Sequence, residues 1–232
     1  MGGDTQLKRH VEDELSWQPS VDQAAIGVSV KNAIVTLTGP VRSYAEKLAA
    51  EHAVMRIHGV KALASELQVS LPGAHERVDE DIARAAVNVL GWSASVPKDA
   101  IKVKVAKGWV TLAGTVDWAF QKHDAEREVS HLIGVKGVTN EVGIKPAPVP
   151  VSSTIKTGIE AALKRSAEVE ARRIHVETTG RTVTLTGSVA SWPERRAAER
   201  AAWAAPGVAN VENRLLVSAS MAAAGWEGPG VL

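Results

Sequence analysis

Apolar residues recur along the first third of the chain at two different spacings. Leu7, Val11 and Leu15 lie four residues apart, which is the spacing of one buried face of an amphipathic helix. Apolar and polar residues then alternate over 26–30 and again over 35–37, with a short polar turn between the two runs. This alternation predicts two half-buried strands joined as a hairpin.

A second helix and a third strand follow the hairpin. The helix is predicted from about Ser43 to Ile57, with Gly59 as its C-terminal cap. The last strand is predicted from Val60 to about Val69, and the irregular spacing of its apolar residues indicates a bulge. The predicted order of elements is therefore αββαβ.

The same pattern occurs three times. The sequence Val-Thr-Leu-Thr-Gly at 35–39 returns at 110–114, with Ala for its second Thr, and at 183–187, offsets of 75 and 73 residues. Gly59-Val60 returns with the same two offsets, and the three copies align without a gap over 63 positions. The landmark glycines, which we expect to have structural roles in turns and caps, are Gly39, Gly59, Gly114, Gly134, Gly187 and Gly207.

The repeat predicts an α+β chain of three tandem αββαβ modules. Each module is expected to be a two-layer sandwich, with a three-stranded sheet and two helices on one face. We place module one at 1–71, module two at 76–145 and module three at 151–219, followed by a flexible tail at 220–232. The second linker contains Lys-Pro-Ala-Pro-Val-Pro, a stiff spacer that predicts a larger separation between modules two and three than between one and two.

Composition limits the partners. The net charge is +1 and acidic and basic residues are balanced along the chain, so we expect no nucleic-acid partner. There is no cysteine, and no apolar run is long enough for a transmembrane segment. The polar N-terminus does not look like a signal peptide, which predicts a cytoplasmic protein, or a periplasmic one if an N-terminal signal has been removed.

The sequence contains no recognisable catalytic motif. The seven histidines share no equivalent position in the modules, and we find no nucleophile elbow, Walker loop or dinucleotide fingerprint. We therefore predict no enzyme activity, no catalytic residues, no metal site and no cofactor. One acidic position recurs with a basic residue four positions before it, which predicts helical ion pairs between Lys47 and Glu51, Lys122 and Glu126, and Arg195 and Glu199.

Tryptophans and one basic helix are the candidate contact residues. Trp17 and Trp92 are equivalent, and Arg165 replaces them in module three. We expect most tryptophans to pack in cores or between modules, and the rest to form an exposed surface. The second helix of module three combines arginines with a tryptophan and could lie on anionic lipid. The candidate lipid or partner contacts are Arg195, Arg196, Arg200, Trp203, Trp17 and Trp92.

The repeated pattern resembles the BON domain. The residues that carry the resemblance are 35–41, Ala50-Glu51 and Gly59-Val60 with their counterparts in the other two copies. The resemblance implies kinship with bacterial osmotically inducible periplasmic proteins, association with phospholipid or membranes, and no catalytic residues. Those relatives carry export signals, whereas this sequence shows none.

The leading hypothesis is a non-enzymatic protein of osmotic or envelope stress that associates with membrane phospholipid or an envelope component. The first alternative is a protein-interaction or self-assembly scaffold, in which the repeat presents several similar surfaces. The second alternative is a sensor of a small ligand or ion.

Overall fold

The computed structural model describes residues 2–145, 152–166 and 169–218, which form three modules with the same order of elements. The predicted tail at 220–232 and the linker residues 146–151 lie outside the described residues. Module one contains α1 (Gly2–Trp17), β1 (Gly27–Lys31), β2 (Ile34–Val41), α2 (Tyr44–Met55) and β3 (Ala62–Val69). Module two contains α3 (Asp79–Trp92), β4 (Ile101–Ala106), β5 (Trp109–Val116), α4 (Ala119–Ser130) and β6 (Gly137–Ile144). Module three contains α5 (Ser152–Arg165), β7 (Ile174–Thr179), β8 (Thr182–Val189), α6 (Trp192–Trp203) and β9 (Asn210–Val217).

Each sheet is mixed, with the second strand in the centre. β1 pairs antiparallel with β2, and β3 pairs parallel with the other edge of β2. The parallel register runs without interruption from Ile34 opposite Ala62 to Val41 opposite Val69, so the bulge predicted in the last strand is wrong. A parallel return needs a long crossover, and the second helix supplies it. The predicted α+β fold of three αββαβ modules is confirmed.

Every module has its own core. In module one, the stripe of α1 is buried against β2, and Val11, Leu15, Val35 and Leu37 have no solvent exposure. The other two cores are separate clusters built from the equivalent positions. The helical spacing of the apolar residues therefore identified the buried face of α1 correctly.

A buried carboxylate fixes the start of α2. Ser43 caps the helix by accepting a hydrogen bond from the amide of Glu46 at 3.0 Å. The Glu46 side chain, which is 7% exposed, accepts hydrogen bonds from the amides of Asp22 at 2.8 Å and Arg42 at 2.7 Å. One carboxylate thus joins the loop after α1 to the start of α2.

Module two replaces this carboxylate by an amide for a visible reason. Gln121 stands where module one has Glu46, and Pro97 stands where it has Asp22. Proline has no amide hydrogen to donate, so one partner of a buried carboxylate is lost. The Gln121 Oε1 atom accepts only from the amides of Asp117 and Trp118, each at 3.0 Å. A neutral group is cheaper to bury when fewer donors face it.

An aspartate ties α1 to the hairpin turn. The two carboxylate oxygens of Asp4 accept hydrogen bonds from the amides of Asn32 at 2.8 Å and Ala33 at 3.0 Å. Both turn residues have positive φ, which directs their amides to the same side. These hydrogen bonds lower the pKa of the Asp4 carboxyl. Asp79 makes the same pair of contacts in module two.

The predicted ion pairs of the second helices are wrong in two modules. The Lys47 ammonium donates to the carbonyl of Leu67 at 3.0 Å. Arg195 donates to the carbonyls of Leu215 at 3.1 Å and Asn213 at 2.6 Å. The carbonyls of the parallel edge strand lie within reach of these long side chains. Lys47 and Arg195 therefore bind the helix to the sheet, and do not link successive turns of the helix.

No helix within the described ranges has both the length and the apolar character that a membrane crossing requires.

The glycine that ends the repeated Val-Thr-Leu-Thr-Gly sequence gives the first prediction. Gly39 has φ of 118°, and a side chain there would overlap the carbonyl oxygen of Ala25. Gly39→Ala should destabilise module one by about 2–4 kcal/mol, because strain and overlap act together. Urea unfolding followed by circular dichroism should then show module one melting before the rest.

Gly73→Ala is the matched control, since a side chain at that linker position meets no other atom within 4 Å. Equal midpoints for the two variants would contradict the assignment of a structural role to Gly39.

Candidate functional site

The first residue of each second helix faces a neighbouring module. These equivalent residues are Tyr44, Ala119 and Trp192. The N-terminus of each helix is positioned by a side chain that accepts backbone amide hydrogen bonds. These side chains are Glu46, Gln121 and Glu194. The chain therefore presents one large aromatic side chain at two junctions and a methyl group at the third.

Trp192 connects module three to module one. Its indole N–H donates to the carbonyl oxygen of Val60 at 3.1 Å. The guanidinium of Arg195 lies over the same ring, 5.2 Å from its centroid, in a cation–π contact. The indole ring of Trp192 therefore makes contacts through both its N–H edge and its π face. Trp192 therefore joins the third module of the chain to the first.

Tyr44 connects module one to module two. Its side chain packs against the core of module two, beside the backbone of Val138. Burial raises the pKa of the Tyr44 hydroxyl, and a backbone hydrogen bond at Val138 partly opposes this shift. Val138 is equivalent to Leu63 of module one, three residues after the Val60 that Trp192 contacts, so the two aromatic side chains meet nearby but different positions of their partner modules.

Ala119 leaves a cleft between modules two and three. The cleft has a volume of about 190 Å³. Its lining from module two is Asp117, Trp118, Ala119 and Lys145, and its lining from module three is Arg181, Trp203, Ala205, Gly207 and Val208. Arg181 forms part of the wall in a fixed position, because it donates to the carbonyls of Gly207 at 3.0 Å and Lys145 at 2.8 Å.

The same surfaces are used at each junction. His123 of module two packs edge-to-face on Trp203 of module three, with ring centroids 6.1 Å apart. The position equivalent to His123 in module three is Arg196, which lies near His52 and Arg56 of module one. Module one thus contacts two, two contacts three, and three contacts one through equivalent helix faces. Head-to-tail contacts that close after three steps make the three modules a ring.

The ring overturns the expected separation of module three. The proline-containing linker was expected to hold module three away from module two. Module three instead contacts both other modules, through Trp192 on Val60 and through Trp203 on His123. The aromatic side chains of α6 contact the other two modules, and the composition of the linker gives no indication of these contacts.

The candidate contact residues fall into two groups. Arg195, Arg196 and Trp203 are partly buried, and each takes part in the contacts of α6 described above. Arg200 is exposed on α6, and it has an interaction partner. Trp17 and Trp92 are 84% and 91% exposed. The two equivalent tryptophans are therefore available for a partner, whereas most of the basic helix faces other parts of the same chain.

Sequence reasoning missed the residues that build the junctions. Tyr44 and Trp192 carried a signal, because the gapless alignment places an aromatic residue at the same helix start in two modules. Arg181 carried no such signal, since it occupies a hairpin turn whose sequence predicts a solvent-exposed residue. The importance of Ala119 is visible only by comparison with the two aromatic residues.

The described residues contain a second depression but no candidate metal site. No group of three or more His, Asp or Glu side chains suited to a metal ion occurs in the described part of the chain. A second depression of about 370 Å³ lies beside Gly108 and Lys136. Its lining includes two carboxylates, of which that of Asp79 is bonded to the turn amides and that of Glu76 is exposed.

The fold and the junctions define a class: a tandem-repeat α+β protein whose small modules bind one another through their second helices. The sequence matches the BON domain family at 3–70, 78–146 and 152–219, and the chain belongs to that family. It is therefore a triple BON-domain protein, as the resemblance implied.

The chain is similar to a curated protein and to several solved structures. Osmotically-inducible protein Y of Escherichia coli (strain K12) is 32% identical over 146 residues, which cover 61% of this chain and 73% of that protein. The chain is thus similar to a protein of the osmotic response. Two structures of CdsD, a structural protein of the Type III secretion system of Chlamydia trachomatis, are 16% identical with a TM-score of 0.26. The alignments cover 92% of this chain and 92% of CdsD in one case, and 91% and 97% for its C-terminal domain.

The contact of Trp192 with module one can be measured. Trp192→Phe keeps a ring but removes the N–H donor to Val60, which should lower stability by about 1 kcal/mol. Trp192→Ala also removes the ring, and we expect a loss of about 2–3 kcal/mol. Urea midpoints of the full chain provide the measurement.

Trp17→Ala serves as the control for this pair, because Trp17 is exposed and should leave the midpoint unchanged. A midpoint of Trp192→Ala that equals that of Trp17→Ala would show that module three does not rest on module one.

The junction between modules one and three should be sensitive to acid. Burial lowers the pKa of His52, and the neighbouring charge of Arg196 lowers it further. The unfolded chain therefore takes up a proton at this residue at higher pH than the folded chain does. The contribution is fully present above the unfolded pKa of about 6.5 and is lost as pH falls through it. Urea midpoints measured between about pH 7 and pH 5 should fall less steeply for His52→Gln.

Identical slopes for wild type and His52→Gln would contradict the role of His52.

Proposed function

We propose that this chain is a non-enzymatic binding protein of the osmotic or envelope stress response that associates with phospholipid surfaces through Trp17 and Trp92. The observation that carries the proposal is the near-complete exposure of two equivalent tryptophans at the ends of α1 and α3. Similarity to an osmotically inducible protein supports the stress role.

The symmetry of the ring supports a common contact face. Residues at equivalent positions of a closed ring lie on the same side of it. Trp17, Trp92 and the exposed Arg165 are equivalent, and each ends the first helix of its module. We infer that the two indole rings and the guanidinium are presented on a common face of the molecule. A flat partner could touch all three at once.

The chemistry of the three side chains fits a lipid headgroup region. Tryptophan favours the membrane interface because its ring is apolar and carries one donor. An arginine beside such rings adds attraction to anionic headgroups. Moving an exposed indole ring out of water lowers the free energy. Neither Trp17 nor Trp92 is removed from water by packing within the chain.

The basic helix α6 plays a smaller part in this proposal than its sequence suggested. Arg195 is bonded to the carbonyls of β9 and lies over Trp192. Trp203 packs on His123. Lipid contact through these residues would require the junctions of module three to open, so the first-helix tryptophans are the better candidates.

Vesicle co-sedimentation tests the proposal. The full chain should bind vesicles of phosphatidylethanolamine and phosphatidylglycerol at low salt. Replacing both Trp17 and Trp92 by Ala should lower the bound fraction at least about tenfold, the effect of about 1.4 kcal/mol. The double variant should fold normally, since both rings are exposed.

Leu216→Ala is the matched control, because it removes an exposed apolar side chain, 72% accessible, from β9 rather than from a first helix. Equal binding of the double variant and wild type, or no binding by wild type, would overturn the proposal. A wild-type dimer in sedimentation velocity that the double variant loses, without vesicle binding, would assign the tryptophans to contact between copies instead.

A further inference from the structure

Three equivalent places exist in the ring, and the chain fills only two of them with an aromatic ring. Trp192 lies on the Val60 region of module one, and Tyr44 lies on module two beside Val138. At the third place Ala119 faces Ala205 and Val208 across a cleft of about 190 Å³. The open volume thus adjoins Val208, which is equivalent to the Val60 that Trp192 contacts on module one.

We propose that this cleft binds a small aromatic compound carrying an N–H or O–H donor, which takes the place on module three that the Trp192 side chain occupies on module one. The proposal does not depend on lipid binding. It concerns a different surface and a different class of ligand.

The size and walls of the cleft suit a single aromatic ring system. An apolar cavity of about 150 Å³ is sufficient for benzene, so about 190 Å³ leaves room for a substituent or a second fused ring. Trp118 and Trp203 provide aromatic surface from the two modules, and Ala119 and Ala205 add methyl groups without filling the space. Ring–ring contact of this kind contributes beyond the apolar area that it buries.

The occupied junction indicates the polar requirement. Trp192 donates its N–H to the carbonyl of Val60, and the equivalent residue in module three is Val208, which lines the cleft. A ligand ring with a donor could make the corresponding hydrogen bond. A ring without a donor would bury the same area but lose that bond, which lowers affinity.

The charged residues of the cleft restrict the charge of the ligand. Arg181 and Lys145 contribute two positive charges, and Asp117 contributes one negative charge, which lies 3.4 Å from the Lys145 ammonium. Because the balance is positive, a neutral or anionic aromatic compound is favoured over a cationic one.

Binding of indole and p-cresol to the full chain tests the proposal, since these molecules correspond to the side chains of tryptophan and tyrosine. Isothermal titration should give measurable binding of both, with benzene at least about tenfold weaker, the effect of one hydrogen bond. Amide chemical shifts of the ¹⁵N-labelled chain should change around Ala119 and Val208. Shift changes spread evenly over all exposed tryptophans would overturn the proposal.

Ala119→Trp is the decisive variant, because it introduces the side chain that module three carries at the equivalent position. It should abolish indole binding. Ala24→Trp adds an indole at an exposed site of module one and should leave binding unchanged. Indole affinity that is the same in Ala119→Trp and wild type would overturn the assignment. Should Ala119→Trp fail to fold, the wild-type shift map alone decides: no localised change at the cleft refutes the site.

Discussion

The small core of each module is the constraint on which the rest of the structure depends. A single helix stripe, a three-stranded sheet and one crossover helix enclose only one short cluster of buried side chains per module. A domain of this size buries only about 60% of the surface that its unfolded chain exposes, so its stability is marginal. Contact between modules adds buried area without enlarging any core. The use of Tyr44 and Trp192 as junction residues follows from this need, since an aromatic side chain buries the most area for one position.

The fold of each module could be predicted from the sequence, because its determinants are local. Neighbouring residues determine both the helix spacing of Leu7, Val11 and Leu15 and the alternation of the hairpin strands. The threefold repeat removes most of the ambiguity in assigning these elements. The missed features depend on residues distant in sequence. Lys47 reaches a carbonyl of β3 instead of Glu51 because the parallel strand passes within reach of its ammonium. The irregular spacing in β3 indicated a bulge, yet the strand pairs regularly since the central strand sets its register.

The arrangement of the modules was harder to predict for a physical reason. Linker composition describes how far two ends can separate, but the contacts between the modules determine where they stay. Trp192 and Val60 are far apart in sequence, and their hydrogen bond closes the ring. In a closed ring of head-to-tail contacts, the contact surface of every module is covered by another module of the same chain. An open arrangement would leave one contact surface exposed to other molecules. The repeat therefore prevents open-ended association at the same surface that it uses for internal stability.

Closure also links the cleft to the whole ring. The cleft has walls from modules two and three, so it exists only while those modules are in contact. A molecule bound there stabilises the closed state by mass action, in proportion to its preference for that state. The proposed lipid contact needs Trp17 and Trp92 to meet one surface together, which the closed state would favour. Because linkage is reciprocal, a surface that binds both tryptophans together would favour closure and thereby raise affinity for an aromatic molecule in the cleft. Two sites with no shared residue can thus be coupled through one contact between helices, without any change inside a module core.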